Sequence, residues 1–156
     1  MGAKQFDYYV FIDYSESFLG YLIIEQSKIR EIIPKISKFA HYKELKHKSA
    51  YIHSIKRVIE NNKVLQYLLK VKIKRTTDTP EIYSDILEFL KEHDNCLVFI
   101  SVDNKQYSNF ERLVNIIDGT HTKVVRENEL RKDTFEYRIS LVLDTILNIE
   151  RLRHKA

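Results

Sequence analysis

The alternation of strand-like and helix-like segments predicts an α/β fold: one mixed sheet, opened by an antiparallel hairpin and covered by helices on both faces. Three observations carry this. Two runs of aromatic and β-branched residues flank a short turn near the start. Later segments alternate strand and helix, which implies parallel pairing. One of those strands, Cys96 to Val102, is almost continuously apolar, as a strand covered on both faces should be.

In order, Tyr8 to Ile12 and Phe18 to Ile24, joined across Asp13-Tyr14-Ser15-Glu16-Ser17, read as the hairpin. Helices are expected over Lys28 to Phe39 and Leu45 to Glu60, the second because Leu45, Ile52, Ile55 and Ile59 recur at mostly helical spacing. From Leu65 to Lys74 the period changes to two, with Leu69, Val71 and Ile73 alternating with Lys70, Lys72 and Lys74. That is a half-exposed strand whose lysine row suits a sheet edge. Thr79-Pro80-Glu81 opens a helix that runs to about Glu92. After the apolar strand, a helix is expected near Tyr107 to Ile117, a turn at Asp118-Gly119 and a short strand at Thr122 to Arg126. The final helix, about Asp133 to Leu152, carries Phe135, Ile139, Val142, Ile146 and Ile149 on one face.

Composition narrows the chemistry. The 156 residues suit one domain spanning 1–156, since domains run to roughly 100–150 residues, and no repeat or linker divides them. Three glycines exclude the Gly-rich phosphate loops of nucleotide enzymes, which need several within a few residues. One cysteine excludes an internal disulfide framework and a multi-cysteine zinc site, and suits a reducing compartment. With no apolar run near the roughly 20 residues of a membrane span, the expected setting is the cytoplasm, without a membrane partner.

The net charge of +4 is unevenly spread. Between Lys43 and Arg75 ten Lys and Arg stand against Glu44 and Glu60, a surplus of eight, which leaves −4 for the rest of the chain. Such a basic region is the footprint expected for phosphate backbones, although a solvated lysine-rich face has the same composition.

Two apolar strands end alike, in Ile12-Asp13 and Ile100-Ser101-Val102-Asp103. Ligands of α/β sheets gather outside the carboxyl ends of strands, so adjacent parallel strands would set Asp13 beside Asp103. Neighbouring carboxylates repel unless a cation or shared proton lies between them, and Mg²⁺ is a hard ion bound by a few such groups. An Asp after a strand is also a common turn former.

Phe11-Ile12-Asp13-Tyr14-Ser15-Glu16 resembles the Phe-Ile-Asp-Glu-Ser-Gly opening of a large prokaryotic and phage family, known as a domain of unknown function, with a ribonuclease H-like fold. Lys43-Glu44-Leu45-Lys46 is similar to its Glu-Leu-Lys element, Phe99 to Asp103 to its central strand ending in Asp, and Ser140 to Thr145 to its closing Leu-Gln-Leu-Ala-Asp-Leu element. Tyr14 stands where the family has Glu, and the closing Gln is missing. The resemblance implies a cluster of Asp13, Glu44, Asp103 and Asp144 holding one or two Mg²⁺ or Mn²⁺ ions as the catalytic and metal site of a nuclease acting on a phosphodiester. Glu44 also fits an exposed charge, and Asp144 lies on a helix strip with Tyr137, Ser140 and Asn148 that is either solvent or site.

The expected function is thus metal-dependent nuclease or nuclease-like phosphoryl transfer. Lys43 and Lys46 would meet substrate phosphate, and Lys70, Lys72, Lys74 and Arg75 would track the nucleic-acid backbone. The alternatives are a non-catalytic module that binds nucleic acid or protein on the same fold, and a homodimer in which the basic third meets the acidic remainder of a second copy. His41, His47 and His53 recur every six residues, which would point them apart on a helix rather than toward one metal. Cys96 reads as a core residue, and no Gly-x-Ser-x-Gly elbow supports a serine hydrolase.

Overall fold

The computed structural model describes residues 6–101, 104–118, 122–126 and 130–154. In chain order the elements are β1 (Tyr8–Ser15), β2 (Phe18–Glu25), α1 (Gln26–Ile32), α2 (Lys48–Asn61), β3 (Lys70–Arg75), α3 (Thr79–Glu92), β4 (Cys96–Ile100), α4 (Asn104–Asp118), β5 (Thr122–Arg126) and α5 (Phe135–Arg153). Short 3-10 turns lie at Ile33–Lys35, Tyr42–Glu44, Val64–Tyr67 and Thr76–Asp78.

The five strands form one sheet in the order β3-β2-β1-β4-β5. β1, β2 and β3 pair antiparallel, while β4 runs parallel to β1 and β5 parallel to β4. This is the mixed α/β sheet, opened by an antiparallel hairpin, expected from the sequence. Side chains alternate across it, so two apolar layers form. Tyr9, Phe11, Leu22, Ile24, Leu97 and Phe99 pack with α1, α2 and α5 on one face. Val10, Ile12, Leu19, Tyr21, Val98 and Ile100 pack with α3 and α4 on the other. Phe11 and Phe99, in register across β1 and β4, stack with ring centroids 5.2 Å apart.

Several expected boundaries move for local reasons. The helix expected over Lys28 to Phe39 stops at Ile32, and the chain continues as a 3-10 turn holding Pro34, which lacks the N–H of a further helical bond. The helix expected from Leu45 begins at Lys48, and Leu45 itself is extended at φ −83°, ψ 142°. The expected strand from Leu65 is first a 3-10 turn and then β3, which is an edge strand as its lysine row suggested. The expected helix from Tyr107 begins three residues earlier, at Asn104, and Gly119 of the expected turn lies outside the described residues.

Scarce glycine leaves positive φ to other residues: Glu16 in the hairpin turn, Lys63 after α2 and Asn95 before β4. The close approach at Gly20 does need glycine. It pairs with Asp13 on one side and Ile73 on the other, and a Cβ there would lie 2.9 Å from the Lys72 carbonyl oxygen and press on the Ile73 side chain. Gly20→Ala is expected to destabilise the fold by about 1–3 kcal/mol, read as a lower denaturation midpoint with an unchanged denaturant slope.

Candidate active site

The alternation that builds the two cores also aims the hairpin's polar residues. Continuing the parity of Tyr9 and Phe11, Asp13 and Ser15 face α5. Tyr14 faces the other way, where its hydroxyl lies 2.9 Å from that of Tyr83. The departure at Tyr14 from the resembled motif therefore falls on the sheet face away from Asp13. Asp13 is buried, and its Oδ1 accepts the backbone N–H of Tyr14 at 2.8 Å. With Phe11, Phe99, Ser140 and Leu143 it lines a tight crevice between the sheet and α5.

α5 brings Asp144 to the same side. The strip of Ser140, Asp144 and Asn148 is buried rather than solvated, because the hairpin turn and the 3-10 turn Tyr42–Glu44 cover it. Asp144 is 7% exposed, and its Oδ2 accepts the backbone N–H of Tyr42 at 2.9 Å. Burial pushes its carboxyl above the ordinary carboxylate range. The Tyr42 N–H and the charges of His41 and Lys43 oppose that shift, while Glu44 adds to it. Nearby, the Tyr51 hydroxyl lies 2.8 Å from Thr145 Oγ1 and accepts the Ala40 N–H at 3.0 Å, which ties α2 to α5.

Glu44 precedes the helix expected from Leu45. It ends the 3-10 turn that docks on Asp144, and its exposed carboxylate lies 3.6 Å from Lys132. Asp103 lies outside the described residues. As expected, β1 and β4 are adjacent and parallel: Ile12 is in register with Ile100, and Ser101 N–H donates to the Ile12 carbonyl at 2.9 Å. Among the described residues, no three His, Cys, Asp or Glu side chains form a group able to hold a metal ion. Of the histidines, His47 and His53 are exposed, and half-buried His41 has no partner for Nδ1 among the described residues.

Pattern reading missed Arg151. Only 8% exposed, it donates from Nε to Ser15 Oγ at 3.1 Å, from Nη2 to Asn148 Oδ1 at 3.0 Å and from Nη1 to Glu16 Oε1 at 3.4 Å, and its guanidinium lies over the Tyr42 ring. Asn148 in turn donates to the Asp144 carbonyl at 2.7 Å. One cation thus joins the hairpin turn, α5 and the turn that caps Asp144. The available signal was its position seven residues, two helical turns, after Asp144. Arg151→Ala removes charge-assisted hydrogen bonds to Ser15, Asn148 and Glu16 together with packed side-chain stem, so a loss of about 2–3 kcal/mol is expected in chemical denaturation.

The basic stretch divides. On edge strand β3, Lys72 lies 2.8 Å from Asp85 and 3.5 Å from Glu81, and Lys74 lies 3.5 Å from Glu81. The Lys72 hydrogen bond holds the Asp85 carboxyl below the usual range, and burial together with the Asp85 charge pushes the Tyr21 phenol up to about 12. Arg75 lies 5.0 Å from the Phe18 ring centroid. Lys43, Lys46 and Lys70 are exposed and, among the described residues, meet no carboxylate within 4 Å. A groove of about 940 Å³ lined by Pro80, Tyr83, Leu87 and Leu113 belongs to the opposite, α3 side of the sheet and touches none of the four acids among the described residues.

The oxygen donors of Asp13 and Asp144 fit a hard divalent cation. Asp144 in particular carries negative charge that burial disfavours, and a cation would relieve it.

No family model matches the chain, and no curated protein matches it. Among solved structures, the chain is similar to a chain of the PCNA:RNase HII complex from Archaeoglobus fulgidus, with 12% identity, 94% of this chain and 72% of that chain covered, and a TM-score of 0.48.

Proposed function

We propose that this chain is a metal-dependent nuclease, with Asp13, Asp144, Asp103 and Glu44 as the carboxylates that hold one or two Mg²⁺ or Mn²⁺ ions. One observation carries the reading: two buried carboxylates from distant parts of the chain, Asp13 on β1 and Asp144 on α5, are turned to the same side of the sheet. Buried carboxylates are costly unless a partner offsets them, and they concentrate where chemistry needs them. Asp103 is included because β4, ending three residues before it, runs parallel to β1 with Ile100 in register with Ile12.

A divalent ion, when bound, supplies Lewis-acid stabilisation of the charge that builds on a phosphodiester under attack by water. The protein's own part is positional. Tyr42 N–H fixes one oxygen of Asp144, Tyr14 N–H fixes one of Asp13, and Arg151 holds together the turns that carry these contacts. Lys43 and Lys46 flank Glu44 in sequence, are exposed, and offer positive charge for phosphate.

The chain with Mn²⁺ or Mg²⁺ is expected to cleave DNA or RNA, and EDTA to stop it. Absence of cleavage with every combination of metal and strand type would remove the proposal. A second reading, a non-catalytic module that binds nucleic acid on the same fold, is favoured by the turn of Glu44 toward Lys132. It predicts binding that neither requires a metal nor leads to cleavage.

A further inference from the structure

Outside β3, the basic stretch gathers its unpaired cations in one segment. Among the described residues, Lys43, Lys46, Lys56, Arg57 and Lys63 meet no carboxylate within 4 Å, and all lie on the segment from the 3-10 turn Tyr42–Glu44 to Lys63, just after α2. α2 buries Ile52 and Ile55. At about 100° per residue, the face opposite them holds Ala50, His53, Ser54 and Arg57, with Ser49, Lys56 and Glu60 on its flank, all exposed. Its short side chains let a nucleic-acid backbone come close. Its one acid, Glu60, lies one helical turn beyond Lys56 and Arg57.

This face begins beside the acids. The turn before α2 donates the Tyr42 N–H to Asp144, and Tyr51 in the first turn of α2 bonds to Thr145 of α5. From there α2 runs about 21 Å along the surface. No Phe or Tyr is exposed on the face to stack unpaired bases, so it suits phosphates of a duplex rather than splayed bases.

We infer that the outer face of α2, with Arg57 at its centre, Lys56 on its flank and Lys46 near its start, seats the phosphate backbone of a duplex nucleic acid whose scissile bond reaches Asp13 and Asp144. The inference rests on the nuclease reading and moves the main phosphate track from β3 to α2.

The test is fluorescence anisotropy of a labelled duplex in EDTA over a salt series, with Mn²⁺-dependent cleavage followed in parallel. Lys56→Ala/Arg57→Ala is expected to weaken binding about tenfold and to reduce the log–log salt slope by about 2, one per lost phosphate contact. Lys56→Arg/Arg57→Lys should retain wild-type binding, and Lys72→Ala/Lys74→Ala should leave the salt slope unchanged. If the wild type cleaves while Lys56→Ala/Arg57→Ala keeps its affinity and slope, or if the β3 pair alone lowers the slope, the α2 surface is wrong and the nuclease reading stands. If the wild type neither binds nor cleaves, both fall.

Discussion

Asp13→Asn is expected to lower Mn²⁺- or Mg²⁺-dependent cleavage by more than about a hundredfold while leaving the fold intact. The magnitude follows from removing a metal ligand, since even outer-shell partners of a metal cost about 10–100-fold. The fold should survive because the amide has the carboxylate's shape and its oxygen can still accept the Tyr14 N–H. Asp103→Asn is expected to behave in the same way. Wild-type rates from either variant, measured beside an unchanged circular dichroism spectrum and melting midpoint, would contradict the assignment.

Asp144→Asn should show a trade between activity and stability. Its carboxyl titrates above the ordinary range in the folded protein because of burial. As pH rises past the ordinary carboxylate pKa, the unfolded chain releases its proton first and binds fewer protons than the folded chain, so the contribution of Asp144 to stability falls with pH. That loss is complete above the raised folded pKa and absent at pH below the ordinary value. Without metal, Asp144→Asn is therefore expected to be more stable than wild type at pH 7 and to lose that advantage toward pH 3, with the asparagine oxygen still accepting the Tyr42 N–H. Cleavage is expected to fall by more than about a hundredfold, and added Mn²⁺ should raise the melting midpoint of wild type far more than that of the variant. A variant less stable than wild type at pH 7, yet fully active, would place Asp144 among purely structural residues.

The parts legible in the sequence are those set by short-range periodicity. The aromatic and β-branched runs of Tyr8 to Ile12 and Phe18 to Ile24 announce the hairpin, but β1 runs on to Ser15, so Asp13 and Ser15 belong to the strand and not to the turn expected there. The apolar run of Cys96 to Ile100 announces a central strand, and the lysine row of β3 an edge. What periodicity cannot carry is contact between distant segments. The turn Tyr42–Glu44 is held by a bond from Tyr42 to Asp144, 102 residues later, and the helix expected from Leu45 starts only at Lys48. Lys72 and Lys74 looked free for phosphate because their partners, Glu81 and Asp85, belong to the next helix. The strip of Ser140, Asp144 and Asn148 looked like solvent or site because its cover, the hairpin turn and Arg151, is assembled only in three dimensions.

The most direct measurement is the anomalous diffraction of a crystal of the wild-type protein soaked in Mn²⁺. The expected result is a Mn²⁺ peak within ligand distance, about 2.0–2.3 Å, of carboxylate oxygens from both Asp13 and Asp144, with Asp103 in the same coordination sphere. Mn²⁺ bound only elsewhere, or Asp13 and Asp144 too far apart to share an ion, would contradict it.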